Sequence, residues 1–95
     1  MIKCTDHDDI ATIHLTGRFD FRMIKDFQEL LAREPRVWVV DLSAVDYVDS
    51  SALGMLLLLR ERVRGDAKRV RLKGVCGQPR DVLLMAKFDR MFTVE

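Results

Sequence analysis

VWVVDLSAVDYVDSSALGMLLLLRERV, residues 37–63, carries two hydrophobic periodicities in a row. Its opening VWVVDL (37–42) is an apolar run too short for a helix and rich in β-branched side chains. It reads as a central strand, buried on both faces of a sheet covered by helices. SAVDYVD (43–49) reads as the loop after it. From Ser50 to about Arg64 apolar residues recur at helical spacing, and Gly65-Asp66 ends the helix. A strand, a loop and a helix in this order predict a β–α unit at the centre of an α/β fold.

Working outward, Ala11, Ile13 and Leu15 alternate with Thr12, His14 and Thr16, the period of a half-buried strand. DHDD before them reads as a hairpin turn from a first strand containing Ile2. Gly17 and Asp20 in GRFD break the alternation. FRMIKDFQELLARE (21–34) carries Ile24, Phe27, Leu30 and Leu31 as the apolar stripe of a helix, with Asp20 as N-cap and Pro35 as the stop. Downstream, VRLKGV (70–75) alternates as a strand with one packed face. Pro79 to Phe88 supports a third helix, with Val82, Met85, Ala86 and Asp89 on one side and Leu83 and Leu84 flanking. Residues 91–94 close as a short strand. The order β-β-α-β-α-β-α-β predicts an α/β sandwich, a mixed sheet of four to five strands covered by about three helices. Residues 1–95 are expected to form one domain with one core.

Composition narrows the function classes. Sixteen basic against fifteen acidic residues leave a net charge of +1, without the basic excess of nucleic-acid or membrane-surface proteins. Basic residues gather at Arg60, Arg62, Arg64, Lys68, Arg69, Arg71 and Lys73, where a solvated helix end and strand face account for them. Cys4 and Cys76 stand in no metal or redox spacing and read as small hydrophobes. The N-terminal MIKCTDHDDIATI has no apolar segment long enough for a signal peptide or membrane span, so a cytosolic location is expected. The glycines form no phosphate-binding loop, and the two histidines, His7 and His14, are not clustered with metal ligands. Val48 and Ala52 occupy the positions where a hydrolase elbow needs glycine around Ser50. No catalytic residues, metal or cofactor are expected.

The helix from Ser50 carries the most information. At about 100° per residue, Ala52, Met55, Leu56, Leu59 and Val63 share one face, which must pack on the sheet. Ser50, Gly54, Leu57 and Glu61 fall on the opposite side, with Leu58 beside them. Leu57 and Leu58 then either pack on a neighbouring helix or form an exposed docking patch, where Gly54 would let a partner's backbone approach. Asp49 or Ser50 can be the N-cap. A phosphoryl group on Ser50 would meet a favourable helix terminus but also the charge of Asp49. It would place roughly −1.5 to −2 charges on the apolar face. A plain cap and a phosphorylation switch both fit.

VVDLSAVDYVDSSALGMLLLLRERV resembles the signature of the STAS domain, whose stand-alone bacterial members typically read DLSxVxxIDSSGLGxLL. The resemblance extends to LTGRFD, VRLKGV and the terminal strand, and looks most like the single-domain anti-sigma factor antagonists of Gram-negative bacteria. It implies a cytoplasmic binding protein rather than an enzyme, acting as a monomer. Ser50 would be phosphorylated by an anti-sigma factor with serine kinase activity, with Ser51 as second choice, and a PP2C-type phosphatase would reset it. The unphosphorylated form would sequester the anti-sigma factor and free the sigma factor. Asp20 and Asp49 fall on the family's acidic positions beside the phosphorylated serine. With Ser51, Gly54, Leu57, Leu58 and Glu61 they make the expected partner-binding set. Ala52 replaces the glycine of DSSGLG on the core side. The alternative implied by the family is an adaptor subunit of an ABC lipid-transport complex, whose versions often lack a phosphorylatable serine.

Overall fold

The computed structural model describes residues 1–95. Strands β1 (Ile2–His7) and β2 (Ile10–Phe19) form a hairpin through Asp8 and Asp9, both at positive φ (50° and 63°) as a two-residue turn between twisted strands requires. A 3-10 turn (Phe21–Met23) leads into α1 (Ile24–Leu30). After it come β3 (Val37–Val48), α2 (Ser50–Arg62), a 3-10 turn (Ala67–Arg69), β4 (Val70–Lys73), α3 (Gly77–Met85), a last 3-10 turn (Phe88–Arg90) and β5 (Thr93–Val94). The element order is the one the sequence predicts. No helix is long and apolar enough to cross a membrane.

The five strands lie in the order β1-β2-β3-β4-β5, with β1 antiparallel to β2 and every other pair parallel. That order decides where the core sits. Each right-handed crossover from β2 onward steps one strand in the same direction, so α1, α2 and α3 all land on one face. Toward them point Ala11, Ile13 and Leu15 of β2, Trp38, Val40 and Leu42 of β3, and Val70 and Leu72 of β4, each no more than 1% exposed. The alternate residues, Thr12, His14, Val39, Asp41, Arg71 and Lys73, face away from this core and are half-buried or exposed. The expectation that β3 is buried on both faces is therefore corrected. Val37 and Val39 lie on the helix-free face because one-way crossovers leave it uncovered.

That open face has its own polar chain. The Asp41 carboxylate accepts from the Ser43 hydroxyl at 2.7 Å and the Ser43 N–H at 3.0 Å, and lies 3.3 Å from His14 Nδ1. Thr5 Oγ1 is 3.3 Å from His14 Nε2. The Ser43 bonds, chiefly the hydroxyl, hold the Asp41 carboxyl below its ordinary range, with His14 adding to them against partial burial. Gly74 (φ 73°) packs here so closely that a β-carbon would come within 2.7 Å of Ser43 Cβ.

Two further boundaries and the buried faces of two helices differ from expectation. Residues 43–48 are strand rather than loop, because β2 also continues: after one bulge between His14 and Thr16, Thr16 to Phe19 pair with Ala44 to Val48 across a second. The first helix ends at Leu30 rather than reaching residue 34, since the chain before Pro35 is steered out of helical dihedrals. Its stripe is also rotated: Met23 and Phe27 are buried, whereas Ile24 is 36% exposed. In α3, Pro79 and Leu83 face the core, and Met85, expected inward, is 84% exposed.

Candidate functional site

The parallel strands β2 and β3 stop together. Phe19 pairs with Val48, so Asp20 and Asp49 leave adjacent strand ends at the same edge of the sheet. Each then caps the helical turn that its strand leads into. Asp20, in extended conformation, accepts from the Arg22 N–H at 3.1 Å, and Asp49 Oδ1 accepts from the Ala52 N–H at 3.1 Å. The end of β3 is clamped from α3. Gln78 donates to the Val48 carbonyl at 3.0 Å and accepts from the Val48 N–H at 2.9 Å, replacing ladder bonds that no strand supplies there.

With Asp49 as the cap, Ser50 is the first helical residue. Its side chain is exposed and its hydroxyl makes no hydrogen bond, while Ser51 is half-buried. The wheel expectation for α2 holds on both sides. Ala52, Met55, Leu56, Leu59 and Val63 are at most 2% exposed, whereas Leu57 and Leu58 are 39% and 38% exposed, with Gly54 and Glu61 also exposed. Beyond the backbone of its own helix and its chain neighbours, no heavy atom comes within 4 Å of a β-carbon built on Gly54, so tertiary packing does not require glycine there.

Asp20 is the one buried charged residue, 5% exposed. Arg22 grips it through Nε at 3.1 Å and Nη2 at 2.8 Å, and Arg18 Nε lies 3.8 Å away. The Arg22 side-chain bonds hold its carboxyl below the ordinary range, helped by the Arg22 N–H and the nearby guanidinium charges, with desolvation opposing. This corner therefore presents largely guanidinium to solvent, with the Asp20 carboxylate buried beneath it. Arg18 also lies over the Tyr47 ring, 4.0 Å from its centroid. Tyr47, Arg18, Arg22 and Gln78 are site neighbours that sequence reasoning missed. The β2–β3 register brings Arg18 beside Tyr47, α3 delivers Gln78 to Val48, and only Arg22, two residues after Asp20, is a neighbour along the chain. Phe21, 63% exposed on the turn after Asp20, was missed as well, because the stripe was phased on Ile24.

Residues 4–94 match the protein family described as Mlab, STAS domain. A STAS-domain-containing protein of Pseudomonas aeruginosa strain UCBPP-PA14 is 42% identical over 86 residues, spanning 87% of this chain and 85% of that one. Among solved structures, an anti-sigma factor antagonist from Mycobacterium paratuberculosis superposes with a TM-score of 0.84 at 21% identity, over 99% of this chain and 83% of that one. The Bacillus cell fate determinant SpoIIAA in its phosphorylated form gives 0.77 at 14% identity, over 100% and 91%. At such identities the structural likeness speaks for the fold alone.

Proposed function

From the STAS family, to which the chain belongs, we propose that it is an anti-sigma factor antagonist switched by phosphorylation of Ser50. Unmodified, it docks an anti-sigma factor with serine kinase activity through Ser50, Ser51, Gly54, Leu57, Leu58 and Glu61 of α2, with Asp20 and Asp49 shaping the strand ends beside them. The sigma factor is then free. The partner transfers the γ-phosphoryl group of ATP to Ser50 Oγ and releases ADP; a PP2C-type phosphatase hydrolyses the ester. In this reading the chain is a binding protein, monomeric and cytoplasmic, and catalysis belongs to its partners. The two fold relatives support it, one described as an anti-sigma factor antagonist and the other seen in a phosphorylated form.

The observation that carries the proposal is the division of labour at the start of α2. Asp49 caps the helix, which leaves the Ser50 hydroxyl exposed and unbonded on the face that carries Gly54 and Leu57. A phosphoryl group there adds roughly −1.5 to −2 charges to an apolar surface, at a helix end whose N–H groups and dipole tolerate it. The test is incubation with the cognate kinase and ATP, followed by site mapping by mass spectrometry. Phosphate on Ser51 alone, or on neither serine, overturns the assignment. Leu57→Asp is expected to abolish docking while the fold persists; loss of the fold would show that Leu57 belongs to the core. The lipid-transport adaptor alternative docks on an ATPase and leaves Ser50 unmodified, so the same experiment separates the two.

A further inference from the structure

Helix-end electrostatics explain only part of the basic run. Arg60 and Arg62 sit in the last turn of α2 and offset its dipole. That account does not extend to Arg69, in the 3-10 turn before β4, or to Arg33, beyond the end of α1. Yet Arg33, Arg62, Arg64 and Arg69 converge from these separate elements on one groove of about 730 Å³. Leu31, Trp38 and Leu58 supply its apolar lining.

The guanidiniums in the groove are unequally neutralised. Arg33 is paired with Asp6, and Arg62 reaches Glu34 only at 3.8 Å. Arg64 has no carboxylate partner. Neither has Arg69, whose Nε donates to the Arg36 carbonyl at 2.8 Å. Arg64 adopts the left-handed region (φ 55°) ahead of Gly65 (φ 76°), a conformation in which a β-carbon is strained. Beside this turn the Arg60 guanidinium lies against Gly65, and its buried Nε has no hydrogen-bond partner. A groove rich in unpaired donors and partly apolar fits a ligand with carboxylates and aliphatic side chains. Glu34 and Glu61 in its lining would repel a continuous phosphate backbone.

We propose that this groove binds an acidic, leucine-rich segment of the docking partner, its carboxylates on Arg64 and Arg69 and its aliphatic side chains against Leu31 and Leu58. Leu58 and Glu61 belong both to this groove and to the outer face of α2, so one partner can cover both without a break. The inference rests on the docking reading of α2 only for which protein supplies the segment.

The test uses the full chain and a fluorescein-labelled peptide of alternating glutamate and leucine pairs, read by anisotropy and by backbone amide shifts. Binding that weakens with added salt, with shifts at Leu31, Leu58, Arg64 and Arg69, is the expected result. Arg64→Gly relieves the left-handed backbone and should keep or raise stability while weakening the peptide by about tenfold, the loss of one charge-assisted pair. Arg69→Gln should weaken it comparably. The inference is overturned if the peptide does not bind, if shifts fall elsewhere, or if a lysine–leucine peptide binds equally. Tighter binding of a DNA duplex at the same residues also overturns it, in favour of nucleic acid. Because the peptide assay needs neither kinase nor Ser50, a failed phosphorylation with a bound peptide discards the switch and keeps the groove. Phosphorylated Ser50 with no peptide binding does the reverse.

Discussion

Gly54→Ala sets two consequences of the site against each other. The residue sits inside α2, where alanine is favoured over glycine by about 0.8–1.0 kcal/mol. No tertiary contact offsets that gain, because a β-carbon at this position meets no heavy atom within 4 Å beyond its own helix backbone and chain neighbours. The substitution should therefore stabilise the domain by about 1 kcal/mol. For a domain of this size that is a rise in Tm of about 4–8 °C, or about 0.3–1 M in the urea midpoint at ordinary m-values. If a partner's backbone approaches Gly54, the same methyl should weaken docking by about tenfold or more, since overpacking a close contact costs about 1–3 kcal/mol. Urea unfolding and titration calorimetry with the proposed anti-sigma partner measure the two effects separately. A destabilised variant would refute the open-face geometry. A stabilised variant with unchanged affinity would show that the partner does not touch Gly54.

Other expectations are narrower. Asp49→Ala should cost about 1 kcal/mol of unfolding free energy through the lost cap, whereas Ser50→Ala should leave stability unchanged and abolish phosphorylation; the opposite pattern in urea would make Ser50 the cap. Gln78→Ala removes both bonds to Val48 and should cost about 1–3 kcal/mol, with faster amide exchange at Val48 as its local signature. The folded chain holds Asp41 and Asp20 below their ordinary range, so it binds fewer protons than the unfolded chain near and below about pH 4. Their stabilisation is complete above that pH and drains as acid protonates the folded carboxylates. Ser43→Ala, which removes the leading bond to Asp41, should flatten the acid limb of a urea-midpoint profile; an unchanged limb would remove Asp41 from the account.

The fold was legible where one element's own periodicity decides burial, and illegible where neighbours decide it. The stripe of α2 is long enough to fix its phase, and all five residues assigned to the core are buried. The nine residues of α3 span barely more than two turns, so one step of phase error exchanges Leu83 for Met85. VWVV looks the same whether one face of the sheet is covered or both, because the direction of the crossovers is written in no single strand. Ser43, Ala44 and Asp46 are poor strand residues, yet they lie in β3 because β2 offers a ladder that the composition of 43–49 does not announce.

The site was legible to a similar depth, and the missing piece was decisive. DS before a helix admits either residue as the cap, since both accept from the first-turn N–H groups equally well. The choice between them is made where β3 stops. Val48 is held by its pairing with Phe19 and by both bonds from Gln78, so Asp49 is the first residue free to take the extended capping conformation (φ −124°). Ser50 then falls inside the helix with its hydroxyl unused. Had Ser50 capped α2, a phosphate there would have broken the cap, and the switch would have been tied to unfolding of the helix it sits on. With Asp49 as the cap, the proposed phosphorylation of Ser50 would change the charge of the α2 surface and leave its start intact. The proposed docking face could then be turned off while the core behind it, from Ala52 to Val63, stays packed.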